Sequence, residues 1–205
     1  MDRETLLELE RRLGRLHARQ RLGLELDHEA HILDQGINFF HAENWYSIHS
    51  LTRGALKLTG LYARGRRNTE CIRVRHNEFA FKGLPPSFDG FAVLHISDMH
   101  ADINEGAMRR LIELVSDLRY DLCVLTGDYR GKTFGPFEAA LAAVGKIRAS
   151  LSAPTYGVLG NHDTIQMVSG LEAMGIRMLL NECEAIVRGG AVARMVEIQG
   201  GVVSG

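Results

Sequence analysis

A chain of 205 residues, 45% hydrophobic and 24% charged with a formal net charge of −1, has the composition of a soluble globular protein. That balance excludes a disordered chain and a bulk polyanion binder, and the length allows one domain with a proper core plus an extension. Three scattered cysteines (Cys71, Cys123, Cys183), with no CxxC pair, argue against a disulfide framework and fit a reducing compartment.

The N-terminus, "MDRETLLELERR", is charged and lacks the apolar core of a secretory signal, and no apolar stretch approaches the length that crosses a bilayer. A cytoplasmic location is the expectation, with attachment to a membrane surface left open. Residues 1–68 read as an N-terminal helical extension, partly basic and amphipathic, and residues 69–205 as the main domain. Within the extension, Leu6, Leu9, Leu13 and Leu16 follow a/d spacing, but the seam stops at Gln20 and Gly23. Barely two heptads favour a short helix packed on its own domain over a coiled-coil partner site.

Residues 45–67, "WYSIHSLTRGALKLTGLYARGRR", place Ile48, Leu51, Ala55, Leu58 and Leu61 at helical spacing, with Trp45 and Tyr46 at the entry. Between residues 53 and 75 stand seven cations (Arg53, Lys57, Arg64, Arg66, Arg67, Arg73, Arg75) against one acid, Glu70. Such a helix either lies on an anionic membrane surface or docks on the domain with its basic face in water. "CIRVRHNEFAF" then alternates about a His-Asn turn and predicts a β-hairpin feeding the main sheet. The Pro/Gly cluster "KGLPPSFDG", residues 82–90, marks where helix-like sequence gives way to alternating strands and helices.

Beyond it the elements run strand ("GFAVLHIS"), helix (106–118), strand ("DLCVLTG"), helix ("PFEAALAAVGKIRASL"), strand ("PTYGVLG") and a helix through "IQMVSGLEAMG". A strand and hairpin through "IRMLLNECEAIVRGGAVARMVEIQG" follow. This alternation predicts an α/β fold with right-handed crossovers and a largely parallel sheet, whose ligands sit beyond the carboxyl ends of the strands.

All three central strands end in polar, ligand-type residues: Ser97-Asp98-Met99-His100, Thr126-Gly127-Asp128-Tyr129 and Gly160-Asn161-His162-Asp163. Strand alternation predicts that Asp98 and His100, two positions apart, share one side. Each end alone reads as a turn aspartate or a helix cap; three at one sheet edge read as a metal centre. Oxygen and imidazole donors without a thiolate suit Mn²⁺, Fe or Zn²⁺. A carboxylate such as Asp128 can bridge two cations that clamp a phosphoryl group. Gly127 and Gly160 allow tight turns just before the ligands. His162 is placed to hydrogen-bond a phosphate oxygen or protonate a leaving group, with Asp163 as its orienter.

Asp98-x-His100, Gly127-Asp128 and Gly160-Asn161-His162-Asp163 together resemble the ordered motifs of the calcineurin-like metallophosphoesterase family. "FDGFAVLHISDMH" and "VLTGDYR…APTYGVLGNHD" are similar to its bacterial branch of YkuE-like and lipid-associated phosphoesterases, over about residues 70–200. The resemblance implies an α/β/β/α sandwich, present here without most of its second half, and two divalent metal ions. It implies that Asp98 and His100 hold the first metal, that Asp128 bridges both and that Asn161 holds the second, while His162 acts on the substrate phosphate. The implied substrates are phosphate esters or pyrophosphates, as small molecules or linked to a lipid.

The family scheme uses seven metal ligands, three of them histidines downstream of GNHD, and no histidine follows His162 here. The tail "GVVSG" ends without a cap, so the chain is expected to be C-terminally incomplete. His95 is expected on the strand face opposite Asp98, and His28, His31, His41, His49 and His76 lie in or just beyond the extension, outside the family's metal set. Three readings stand: a two-metal phosphoesterase, an impaired half-site, and a peripheral membrane protein acting through residues 45–67. A nucleotide-binding doubly wound domain is disfavoured by the absence of GxGxxG and GxxxxGK[ST]. Nucleic acid is disfavoured because residues 91–205 carry ten Lys/Arg against thirteen Asp/Glu.

Overall fold

From residue 93 onward the alternating pattern folds as read. The computed structural model shows a four-stranded parallel sheet in the order β1 (Val93–Ile96), β2 (Leu122–Thr126), β3 (Thr155–Val158), β4 (Ile176–Met178). The structure describes residues 3–34 and 45–197, with side chains described except at 24, 26–34 and 45–50. Trp45, Tyr46, Ile48, His28, His31 and His49 therefore lie outside the described side chains. His41 and the "GVVSG" tail lie outside the described residues altogether.

Leu94 pairs with Cys123, Leu125 with Gly157 and Thr155 with Ile176. Each crossover steps to the next strand in the same direction. Right-handed connections therefore send α5 (Glu105–Ser116), α6 (Glu138–Ser150) and α7 (Val168–Ala173) to one face. There Ile96, Cys123, Leu125, Ile176 and Met178 bury against Leu111, Val115, Val144, Ile147 and Leu171. Burial pushes the Cys123 thiol up to about 12, as befits a cysteine that packs as a small hydrophobe. The other face carries Val93, His95, Val124, Thr126 and Tyr156, and no helix covers it among the described residues. A hairpin of β5 (Cys183–Arg188) and β6 (Ala191–Val196) forms a second sheet there; its Ile186 and Ala193 line the same trough as Val93 and His95.

The N-terminal helices α1 (Arg3–Leu13) and α2 (Arg15–Asp34) break at Gly14, whose φ of 83° suits glycine. The leucine seam meets its own domain: Leu9 is 2% exposed in the common core, while Leu16 stays in water. Arg12 fastens α1 to the sheet edge. Its guanidinium donates to Glu182 (2.8 Å), Glu172 (2.8 Å) and the Met178 carbonyl (2.6 Å). Arg12 in turn holds the Glu182 carboxyl below the usual range, so this contribution is complete above the ordinary glutamate value of about 4.3 and fades as pH falls through the lower folded value. Arg12→Met should therefore cost about 2 kcal/mol in a urea melt at pH 7, since Arg177, 3.5 Å from Glu182, remains as a weaker partner. The difference between the two proteins should shrink below about pH 4.

Further on, α3 (Trp45–Leu58) and α4 (Leu61–Glu70) break at Gly60, with φ of 70°. The hairpin expected over 71–81 does not form; these residues have no regular secondary structure. Its alternation needs a layer to bury one face, yet Phe79 is 76% and Phe81 68% exposed, with the two rings stacked on each other.

Candidate metal centre

The three strand ends do converge, but not by strand alternation. β1 stops at Ile96, so Asp98 and His100 lie beyond it, in left-handed conformations with φ of 53° and 39°. Asp128, past β2, has φ of 53°. Among the described residues only one other non-glycine, Asn181, has a positive φ. Such backbone costs of order 1 kcal/mol or more per residue, and three cases meeting at one point mark a place where side-chain aim outweighs backbone comfort. The two turns hold each other there. Asp98 N–H donates to the Gly127 carbonyl (3.2 Å), His100 N–H to Asp128 (2.9 Å) and Ala101 N–H to Tyr129 (2.8 Å).

The result is a group in which a carboxylate oxygen of Asp98, a ring nitrogen of His100 and a carboxylate oxygen of Asp128 all lie within 4.8 Å of one another. Asp98 is exposed, His100 half-buried and Asp128 buried, so the group opens to solvent on one side. His100 Nδ1 lies 2.8 Å from the Arg130 carbonyl, an acceptor only. The ring must donate there, and that leaves the Nε2 lone pair for a cation. Two anionic oxygens and one imidazole nitrogen, pre-aimed and backed by a carbonyl, fit a divalent first-row ion.

The third turn packs directly behind. A Cβ on Gly160 would collide with the carboxylate and backbone nitrogen of Asp128, and one on Gly127 would strike the Gly160 backbone. Both glycines are there for close approach. His162 N–H donates to Asp128 Oδ1 (3.0 Å), which ties the GNHD turn to the candidate ligand. Asn161 sits between these two anchors and is exposed at the mouth. The His162 ring stands edge-on to the His100 ring at 5.2 Å between centroids.

Asp163 does not orient His162. Its Oδ1 accepts from Tyr129 N–H (2.9 Å) and Arg130 N–H (3.4 Å), and its Oδ2 from Gly160 N–H (2.9 Å). With both oxygens turned toward backbone donors and the side chain 5% exposed, Asp163 clamps the second turn to the third. Burial raises its pKa, and those backbone donors oppose the rise.

The residues that do hold His162 carry no motif. Thr133 Oγ1 lies 2.9 Å from His162 Nδ1, which leaves Nε2 as the free ring nitrogen. Arg130, 3% exposed, donates through Nε to the His162 carbonyl (2.5 Å), through Nη1 to Gly135 (3.0 Å) and through Nη2 to Thr133. Its carbonyl accepts from the His100 ring and its guanidinium donates to the His162 backbone carbonyl, so one residue touches both histidines. The only sequence signal was a basic residue two positions after Asp128. His95 stays out of the group, bound through Nε2 to Thr126 Oγ1 (2.6 Å).

A family model for calcineurin-like phosphoesterases matches residues 91–194. Over 104 residues the chain is 28% identical to an uncharacterized metallophosphoesterase, YkoQ, of Bacillus subtilis strain 168; the match covers 50% of this chain and 38% of that relative. No solved structure matches the chain at a comparable level of significance.

Proposed function

The chain belongs to the calcineurin-like phosphoesterase family, and from that premise we propose that its strand-end turns hold two divalent cations and hydrolyse a phosphate ester. The observation that carries this reading is the convergence of Asp98, His100 and Asp128, ligand atoms within 4.8 Å, on two crossing turns whose three ligand residues all have positive φ. Manganese, iron and zinc all suit the donors. Bound there, such ions would supply an activated water and neutralise phosphoryl charge.

The chain's own part is positional. Asp98, His100 Nε2 and Asp128 would hold the first ion, and Asp128 together with Asn161 the second. His162 stands beside them with Nε2 free to donate to a phosphoryl oxygen or to a departing alkoxide. Thr133 suits this role because a hydroxyl both donates and accepts. It can hold Nδ1 through either tautomer without adding a negative charge that would pin the proton.

Metal analysis of the purified chain after Mn²⁺ loading and desalting tests the reading, paired with hydrolysis of bis(p-nitrophenyl) phosphate. Two ions per chain with metal-dependent turnover is the expected result. One ion would remove the dinuclear part, and no ion with no turnover would remove the whole.

Thr133→Val should lower turnover of the same probe by about 10-fold with little change in bound metal, whereas Thr133→Ser should restore most of it. If both variants match the parent, Thr133 does not position the ring. A shifted pH–rate profile in the valine variant alone would show that the hydroxyl acts through His162.

A further inference from the structure

The family reading leaves α3 and α4 without a role, and they present the most unusual surface on the molecule. Leu51 is 76%, Leu58 91% and Leu61 49% exposed. Leu51, Ala55 and Leu58, spaced by four and three, share one helix face, while Arg53 and Lys57 project from the opposite side. Scattered exposed leucines need no explanation, but an aligned exposed row on an amphipathic helix does. Every one of the seven cations between 53 and 75 is exposed, and among the described residues none has a carboxylate within ion-pair distance. No helix among the described residues is long and apolar enough to cross a membrane.

The segment is also fixed to the domain at a telling place. Asn104, 7% exposed, caps α5 by accepting from Gly106 N–H (3.0 Å) and donates to Thr69 Oγ1 (2.6 Å) and the Arg66 carbonyl (3.4 Å). The end of α4 thus meets the start of α5, four residues after His100. That is the edge of the sheet where the candidate ligands converge.

We infer that α3 and α4 form an arm that docks the protein on an anionic lipid bilayer. The exposed leucines enter the headgroup boundary, and the exposed arginines meet lipid phosphates. Charge selects this occupant over a second copy of the chain, whose own arm would bring another seven cations against these. Held by Asn104, the docked arm would set the carboxyl edge of the sheet close to the lipid surface. The docking itself stands or falls apart from any hydrolysis.

The test is co-sedimentation of the full chain with vesicles, without added metal and without an activity readout. Vesicles of phosphatidylcholine with about one-third phosphatidylglycerol should carry the chain down at low salt, and pure phosphatidylcholine should not. Raising the salt should release it. Triple replacement Arg64→Gln/Arg66→Gln/Arg67→Gln should weaken partitioning by about 100-fold, from roughly 1 kcal/mol per cation. Leu51→Gln/Leu58→Gln/Leu61→Gln should weaken it by at least about 10-fold, with unchanged circular dichroism. No binding to anionic vesicles, or equal binding to neutral ones, overturns the proposal. So does a dimer in sizing chromatography that the leucine variant disperses while neither protein binds vesicles, because the apolar row would then belong to a second copy.

Discussion

Asp128→Asn is expected to lower turnover of bis(p-nitrophenyl) phosphate by about 10³-fold and to release bound metal, while the melting temperature moves by no more than a few degrees. The separation follows from what each part of the side chain touches. An asparagine keeps an oxygen to accept the His162 N–H now held at 3.0 Å by Asp128 Oδ1. Asparagine also tolerates left-handed backbone about as well as aspartate, so the φ of 53° survives. What disappears is the charge at the one buried member of the ligand group. Asp128→Ala would be a poorer test, because it adds backbone strain and strands the His162 N–H. Asp98→Asn makes a useful companion: that side chain is exposed and, among the described residues, accepts only from Ser97 Oγ besides its place in the ligand group. It should cost metal affinity with even less effect on stability. An Asp128→Asn protein that kept both its metal and its turnover would remove the centre proposed here.

The parts of this site that were legible in the sequence are those whose signal is local. An apolar run followed by an acid, histidine or asparagine says where a strand stops and what chemistry begins, and three such runs survive in β1, β2 and β3. The geometry behind them was not legible. Strand alternation puts Asp98 and His100 on one side, yet they lie past the last strand residue and owe their aim to positive φ. The crossing turns, which pair Asp98 with Gly127 and His100 with Asp128 along the backbone, stabilise that conformation. These contacts join residues about thirty positions apart.

The expected hairpin over 71–81 failed for the converse reason. Its alternation is real, but a strand also needs an edge to pair with and a layer to cover it, and "CIRVRHNEFAF" records neither. Thr133 and Arg130 stayed hidden because they act from an irregular loop, where no period marks a functional position. The amphipathic spacing of residues 45–67 is legible in the sequence, whereas what its apolar face meets is not. Its leucines from residue 51 onward do not dock on the domain.

Asp163 supplies the prediction that best separates architecture from chemistry. Asp163→Ala should destabilise the fold by about 3 kcal/mol in urea unfolding and lower metal affinity at the same time. The loss leaves the buried N–H of Tyr129 and the half-buried N–H of Gly160 without their acceptor, at about 1–3 kcal/mol for an orphaned buried donor and less for the second. Both donors belong to turns that carry candidate ligands, so relaxation there should move Asp128 relative to Asn161 and His162. Asp163→Asn should not rescue the fold fully, because an amide can offer only one oxygen and must turn its NH₂ toward the other N–H. The contrast with Thr133 is the decisive comparison. A residue that orients His162 should lose turnover and keep its stability, and Thr133→Val is expected to do that. A residue that clamps two turns should lose both together. If Asp163→Ala instead kept its unfolding midpoint and its metal while turnover alone fell, the carboxylate would be acting through His162 after all. The backbone clamp seen between the second and third strand ends would then be incidental.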